Sequence, residues 1–163
     1  MQDKKLFLHW MLFVWLVLIG GVISVSLGWM GRVLNGDPTH ITLVTLAVFV
    51  STTLYLGRLS WKLTNGESAK IVAQKLPTGW FASSACVTLG LLGTVVGYFL
   101  MMQGVPGTGE DAATQLVQQI RAGMGTVLIN TIVGGVCGLL IEVQSHFISQ
   151  TVERAVLEEE KKP

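Results

Sequence analysis

The sequence predicts an all-α membrane protein. It has four transmembrane helices, both termini in the cytoplasm, and a cytoplasmic extension of the fourth helix. Three observations lead there. Half of the residues are hydrophobic (50%) and only 13% are charged, where a soluble domain carries roughly 25% charged residues. The charges sit in short blocks between long apolar runs. Beyond residue 142 the continuous apolarity gives way to a helical alternation. The formal net charge of +1 gives no reason to expect a nucleic-acid partner. Cys86 and Cys137 both lie inside apolar runs. They read as small packing residues rather than a disulfide framework.

A spanning helix needs about 20 mostly apolar residues. Runs that meet or approach this length cover about residues 6–28, 41–57, 80–103 and 122–142. The first is long for a signal peptide, and no A-x-A-like cleavage site follows it, so it is expected to remain as a helix. The second is the shortest and lengthens if Arg58 snorkels. Arg121 and Glu142 bound the fourth sharply. The segment from Gln103 to Gln119 begins as a turn, with Pro106 and several glycines, and Thr108 or Asp111 is placed to cap a helix running into the fourth span. After Glu142, residues Ile141, Ile148, Val152 and Val156 recur at helical spacing among Gln144, Glu153, Arg154 and Glu158. An amphipathic helix over residues 143–160 is therefore expected. The whole chain, 1–163, is expected to be a single membrane domain.

Loop charges set the orientation. Lys4 and Lys5 precede the first span, and Arg58, Lys62, Lys70 and Lys75 face a single Glu67 between the second and third. The other two loops carry Arg32 with Asp37, and Glu110 with Asp111. The positive-inside rule places both termini and the middle loop in the cytoplasm. Trp29, Trp61 and Trp80 lie near span ends, as in an aromatic belt.

The third and fourth spans hold the most informative residues. One contains Gly90-Leu-Leu-Gly93-Thr94-Val-Val-Gly97, and the other Gly123-Met-Gly125-Thr126, Asn130-Thr131, Gly134-Gly135 and Gly138. Gly90, Gly93, Gly97, Gly134, Gly135 and Gly138 are candidate helix-packing residues, because small residues let membrane helices approach closely. Thr94 lies roughly 21 Å above Trp80, and Thr131 about 16 Å above Glu142, at a rise of 1.5 Å per residue. Helices running in opposite directions thus bring the two threonines to similar mid-membrane depth. Helical spacing places Ser83, Val87, Gly90, Thr94 and Gly97 on one stripe, and Thr131, Gly135, Gly138 and Glu142 on another. Thr126, Asn130 and Gly134 fall on the face adjacent to the second stripe. Glu142 would stand as a carboxylate at the inner mouth of a seam between the stripes. No Asp, Glu, Lys or Arg lies within the core of any expected span. A protein that moves protons generally needs such a group, so another subunit would have to supply it.

Taken in order and with this separation, the two motifs resemble those of the MotA/TolQ/ExbB family, bacterial inner-membrane subunits of ion-driven motors. The resemblance covers roughly Ser83 to Glu142. It implies a homopentameric ring enclosing a dimer of a single-span MotB/TolR/ExbD-like protein, whose intramembrane aspartate carries H+ or Na+. It also implies that Thr94 and Thr131 line the ion pathway, with Thr126 and Asn130 as second choices. No cofactor is implied beyond the transported ion. The four-span topology is similar to MotA, whereas TolQ and ExbB have three spans. TolQ and ExbB often carry glutamate where Thr126 stands. MotA has a large cytoplasmic insertion that contacts the flagellar rotor, and here that segment is only residues 58–79, which argues against a flagellar role. Asn130 beside Thr131 leaves sodium open as the ion. The rival expectation is a passive membrane scaffold or small pore-forming, holin-like protein whose glycines serve packing alone. An enzyme is not expected: there is no nucleophile–base pair, and His9, His40 and His146 are scattered.

Overall fold

The computed structural model describes residues 40–65, 68–103 and 112–160, together with isolated positions before residue 40. Only scattered positions of the expected first span are among them, including Val17, which packs partly against the buried cluster of the other helices. The rest of that span, the loop 104–111 and the side chain of Thr126 lie outside the described residues. What is described is helical: α1 (Ile41–Thr64), α2 (Ala69–Lys75), α3 (Pro77–Gln103) and α4 (Ala112–Glu160). Among the described residues, Ile41–Thr64, Ala69–Gln103 and Val127–Leu157 are long and apolar enough to cross a membrane.

Each of the three long helices runs past the apolar run that predicts it, and α2 forms within the segment 58–79, where no apolar run predicts a helix. α1 has 24 residues and continues beyond residue 57 to Thr64. Its last turns are amphipathic: Leu59, Ser60 and Leu63 are buried, while Arg58 and Lys62 are exposed. Tertiary burial, rather than apolarity, sustains the helix there. α3 starts at Pro77, three residues before Trp80. Proline suits a first helical position, since its missing N–H would have no intrahelical acceptor. Leu76, at φ −66° and ψ −34°, joins α2 to α3 while remaining in helical conformation. α4 runs unbroken for 49 residues, about 74 Å at the standard rise. That is more than twice the ~30 Å hydrocarbon thickness, so the expected amphipathic stretch 143–160 is the same helix as the span before it.

α3 and α4 are antiparallel and form the principal pair. α1 runs alongside α4 in the same direction, as the contacts Thr42–Asn130 and Thr53–Gln144 show. Its face toward the core reads Thr42, Thr45, Phe49, Thr52, Leu56, a helical stripe of three threonines and two large apolar residues. α2 packs against the lower part of α4, and Leu56, Leu59, Val72, Ile141, Ile148 and Val152 fill the core where these helices meet.

Candidate functional site: a hydroxyl pair on a glycine seam

The buried residues of α3 include Gly79, Ala82, Ser83, Cys86, Gly90 and Gly93, a stripe at helical spacing that turns its small side toward α4. The closest approach is between Gly90 and Gly134. A Cβ built on Gly134 would lie 2.7 Å from the Cys86 carbonyl oxygen and 2.7 Å from the Gly90 Cα. One on Gly90 would lie 2.8 Å from the Asn130 carbonyl oxygen. All of these are backbone atoms, so no side chain can give way. Glycine at both positions lets two backbones touch, which is the use membrane helices make of small residues.

That contact sets up the polar pair one turn away. Thr94 Oγ1 lies 3.0 Å from the Gly90 carbonyl of its own helix and 3.2 Å from the Val127 carbonyl of α4. It also hydrogen-bonds the Thr131 hydroxyl. Both threonines are half-buried, at the rim of the α3–α4 seam rather than in its depth. A threonine hydroxyl has one hydrogen and two acceptor positions. One hydrogen of the pair serves the bond between them, and the other has a carbonyl within reach. Oxygen lone pairs remain over, at a rim where neither helix offers a charge between Lys75 and Glu110 or between Arg121 and Glu142.

The other expected residues divide between the seam and its surroundings. Gly93 lies against the Asn130 side chain, with a built Cβ 2.9 Å from Nδ2, and Gly97 against Val127 Cγ2 at 3.1 Å. Gly138 lies under Val87 and beside Ser83, whose hydroxyl donates to the Gly138 carbonyl at 2.9 Å. Gly134 and Gly138 therefore both meet α3, although helical spacing assigned them to different stripes. Gly135, expected among the packing glycines, faces open space: a Cβ there would meet nothing within 4 Å. Glu142 is exposed at the lower end of the same face of α4. Cys86 and Cys137 are buried free thiols.

Asn130 turns away from the threonine pair. It is 3% exposed, and its Oδ1 accepts a hydrogen bond of 2.5 Å from the Thr42 hydroxyl of α1, itself 2% exposed. The residue thus ties α1, α3 and α4 at one level. Helical spacing on α4 gives no sign of this partner. The signal available was the threonine stripe of α1, Thr42, Thr45 and Thr52, an unusual choice for a lipid-facing side. A second tie lies lower, where Gln144 Nε2 donates to Thr53 Oγ1 at 3.4 Å. The upper tie yields a measurable expectation. In a double-mutant cycle of Asn130→Leu and Thr42→Val, denaturant unfolding in micelles should return a coupling of about 0.6–1.7 kcal/mol, the range for interhelical hydrogen bonds in membranes. Additive single effects would remove the tie.

Comparison with known proteins adds a family. The family model described as the MotA/TolQ/ExbB proton channel family matches residues 65–161. That range takes in the whole of α2, α3 and α4, hence the glycine seam and both threonines. No curated protein and no solved structure matches the chain. With more than half of its length matched, on the helices that carry the seam, the chain belongs to the MotA/TolQ/ExbB proton channel family, a membrane family of ion-conducting transport subunits.

Proposed function

We propose that this chain is the outer-ring subunit of a proton- or sodium-driven rotary motor of the bacterial inner membrane. Five copies surround a dimer of a single-span protein with an intramembrane aspartate. Each copy spans the membrane four times with both termini in the cytoplasm. The observation that carries this reading is the Thr94–Thr131 pair, two hydroxyls meeting at the half-open rim of an otherwise uncharged apolar seam.

An ion arriving from outside binds the partner's aspartate, which brings it to the ring's inner wall. The spare oxygen lone pairs of Thr94 and Thr131 then take it, as hydrogen-bond acceptors for a protonated carrier or as ligands for a sodium ion. Release to the cytoplasm restores the charged aspartate, and each cycle turns the ring against the dimer. Asn130, engaged with Thr42, belongs to the packing that holds Thr131 in place rather than to the ion's path.

The passive-scaffold reading draws on the Gly90–Gly134 contact, which packing alone explains. The two readings separate on subunit count. The complex purified from native membranes through a tag on this chain should contain five copies by native mass spectrometry, with a single-span protein in two. A monomer, dimer or tetramer without such a protein would overturn the motor and leave the seam as packing.

A further inference from the structure

Below the threonine pair, one strip of α4 carries the groups that a departing proton needs. With Thr131 as reference, Gly135, Glu142, His146 and Glu153 all fall within about 60° of it around the helix. Gly135, Glu142, His146 and Glu153 are all exposed. Glu142 lies about 16 Å and His146 about 22 Å below Thr131 along the helix. The strip borders the seam, because Gly138 and Ser145, on its inner edge, touch the Ser83–Val87 turn and Gly79 of α3. α3 starts at Pro77 and contributes no acidic, basic or histidine side chain along its length. The charged groups of the other packed elements are Arg58 and Lys62 on α1, and Lys70 and Lys75 on α2, all exposed. On α4 itself, Glu153 and Arg154 follow about two turns beyond His146.

His146 is also held in a way that suits two protonation states. Its Nε2 lies 3.0 Å from Gln150 Nε2, one turn on. With the amide nitrogen donating, Nε2 is an unprotonated acceptor and the ring is neutral. With the amide turned over, its oxygen accepts from a protonated Nε2. A glutamine side chain presents both groups at one end, so it can serve either state.

We propose that Glu142 and His146 are the cytoplasmic proton acceptors of the ion path, receiving in turn the proton that leaves the Thr94–Thr131 level and passing it to inner water. This rests on the channel reading above and adds its inner half. A proton arriving as hydronium binds the Glu142 carboxylate or His146 Nε2, and the same proton leaves to a cytoplasmic water, so the residues end each cycle as they began. An exposed carboxylate and an exposed imidazole one turn apart offer a departing proton two acceptors in succession along the strip.

The test uses the complex purified from native membranes through a tag on this chain, reconstituted into liposomes with an internal pH dye. Proton flux is driven by a membrane potential, and the pH on the cytoplasmic face is varied between about 5 and 8, the window in which imidazoles as a class change charge. Glu142→Gln should lower the flux about tenfold, less than the roughly hundredfold or more typical of a positioned proton-transfer group, because the site is exposed and water can substitute in part. His146→Gln should change how flux depends on inner pH, a change that a merely structural role would not produce. His146→Gln and Glu142→Gln with the wild-type flux and pH profile would overturn the proposal. If Thr131→Val lowers flux in the same preparation, the channel reading survives that outcome. A wild type that carries sodium and no protons also overturns the acceptor role, while leaving the threonines as cation ligands.

Discussion

Thr131→Val should reduce ion flux through the native complex by roughly ten- to a hundredfold while the complex assembles as before. The substitution keeps the branched shape and removes one oxygen. On the proposed path, that oxygen shares the ion with Thr94, and its loss leaves the passing charge short of one polar contact in an uncharged seam. Such a contact is worth about 1–3 kcal/mol, which corresponds to that range in rate. The fold has little at stake, because Thr94 keeps the Gly90 and Val127 carbonyls as acceptors when Thr131 is gone. Thr131→Ser, which restores the hydroxyl, should recover most of the flux. Thr94→Val should have a similar effect, and the double variant should lose less than the sum, since the two hydroxyls act as one unit. Dye-reported flux in liposomes measures all of these. Wild-type flux in Thr131→Val would take the residue out of the path.

The second large effect concerns the seam that places the pair. Gly134→Ala inserts a methyl 2.7 Å from two backbone atoms of α3. The helices must separate, and overpacking of this kind costs about 1–3 kcal/mol. The neighbouring glycine gives the opposite expectation. Gly135→Ala meets nothing within the chain, so it should be neutral or should stabilise the single chain by up to about 1 kcal/mol through helix propensity. Denaturant titration in micelles, followed by helical circular dichroism, distinguishes the two variants. Equal stability of Gly134→Ala and Gly135→Ala would contradict the close approach of α3 and α4. Flux should follow the geometry as well: moving α3 outward lengthens the Thr94–Thr131 contact, so Gly134→Ala should impair conduction without touching either hydroxyl.

Much of this protein was legible in the chain. Apolar run lengths and the sparse, clustered charge predicted a helical membrane protein. The spacing of glycines and threonines singled out the two helices that form the seam, and arithmetic on helical rise put Thr94 and Thr131 at one depth. These are properties of single helices, whose periodicity is fixed, so sequence alone reaches them. The tertiary structure decided how each helix is rotated about its own axis and how neighbouring helices register. Spacing could not say whether Gly134 or Gly135 meets α3. The answer came from the closest approach of two backbones, which tolerates no Cβ at Gly90 and Gly134 and leaves Gly135 open. Nor could spacing find the partner of Asn130, because Thr42 lies 88 positions away on a helix that the sequence presented as a plain span. A buried amide needs partners, and only the packed helices show which hydroxyl supplies one.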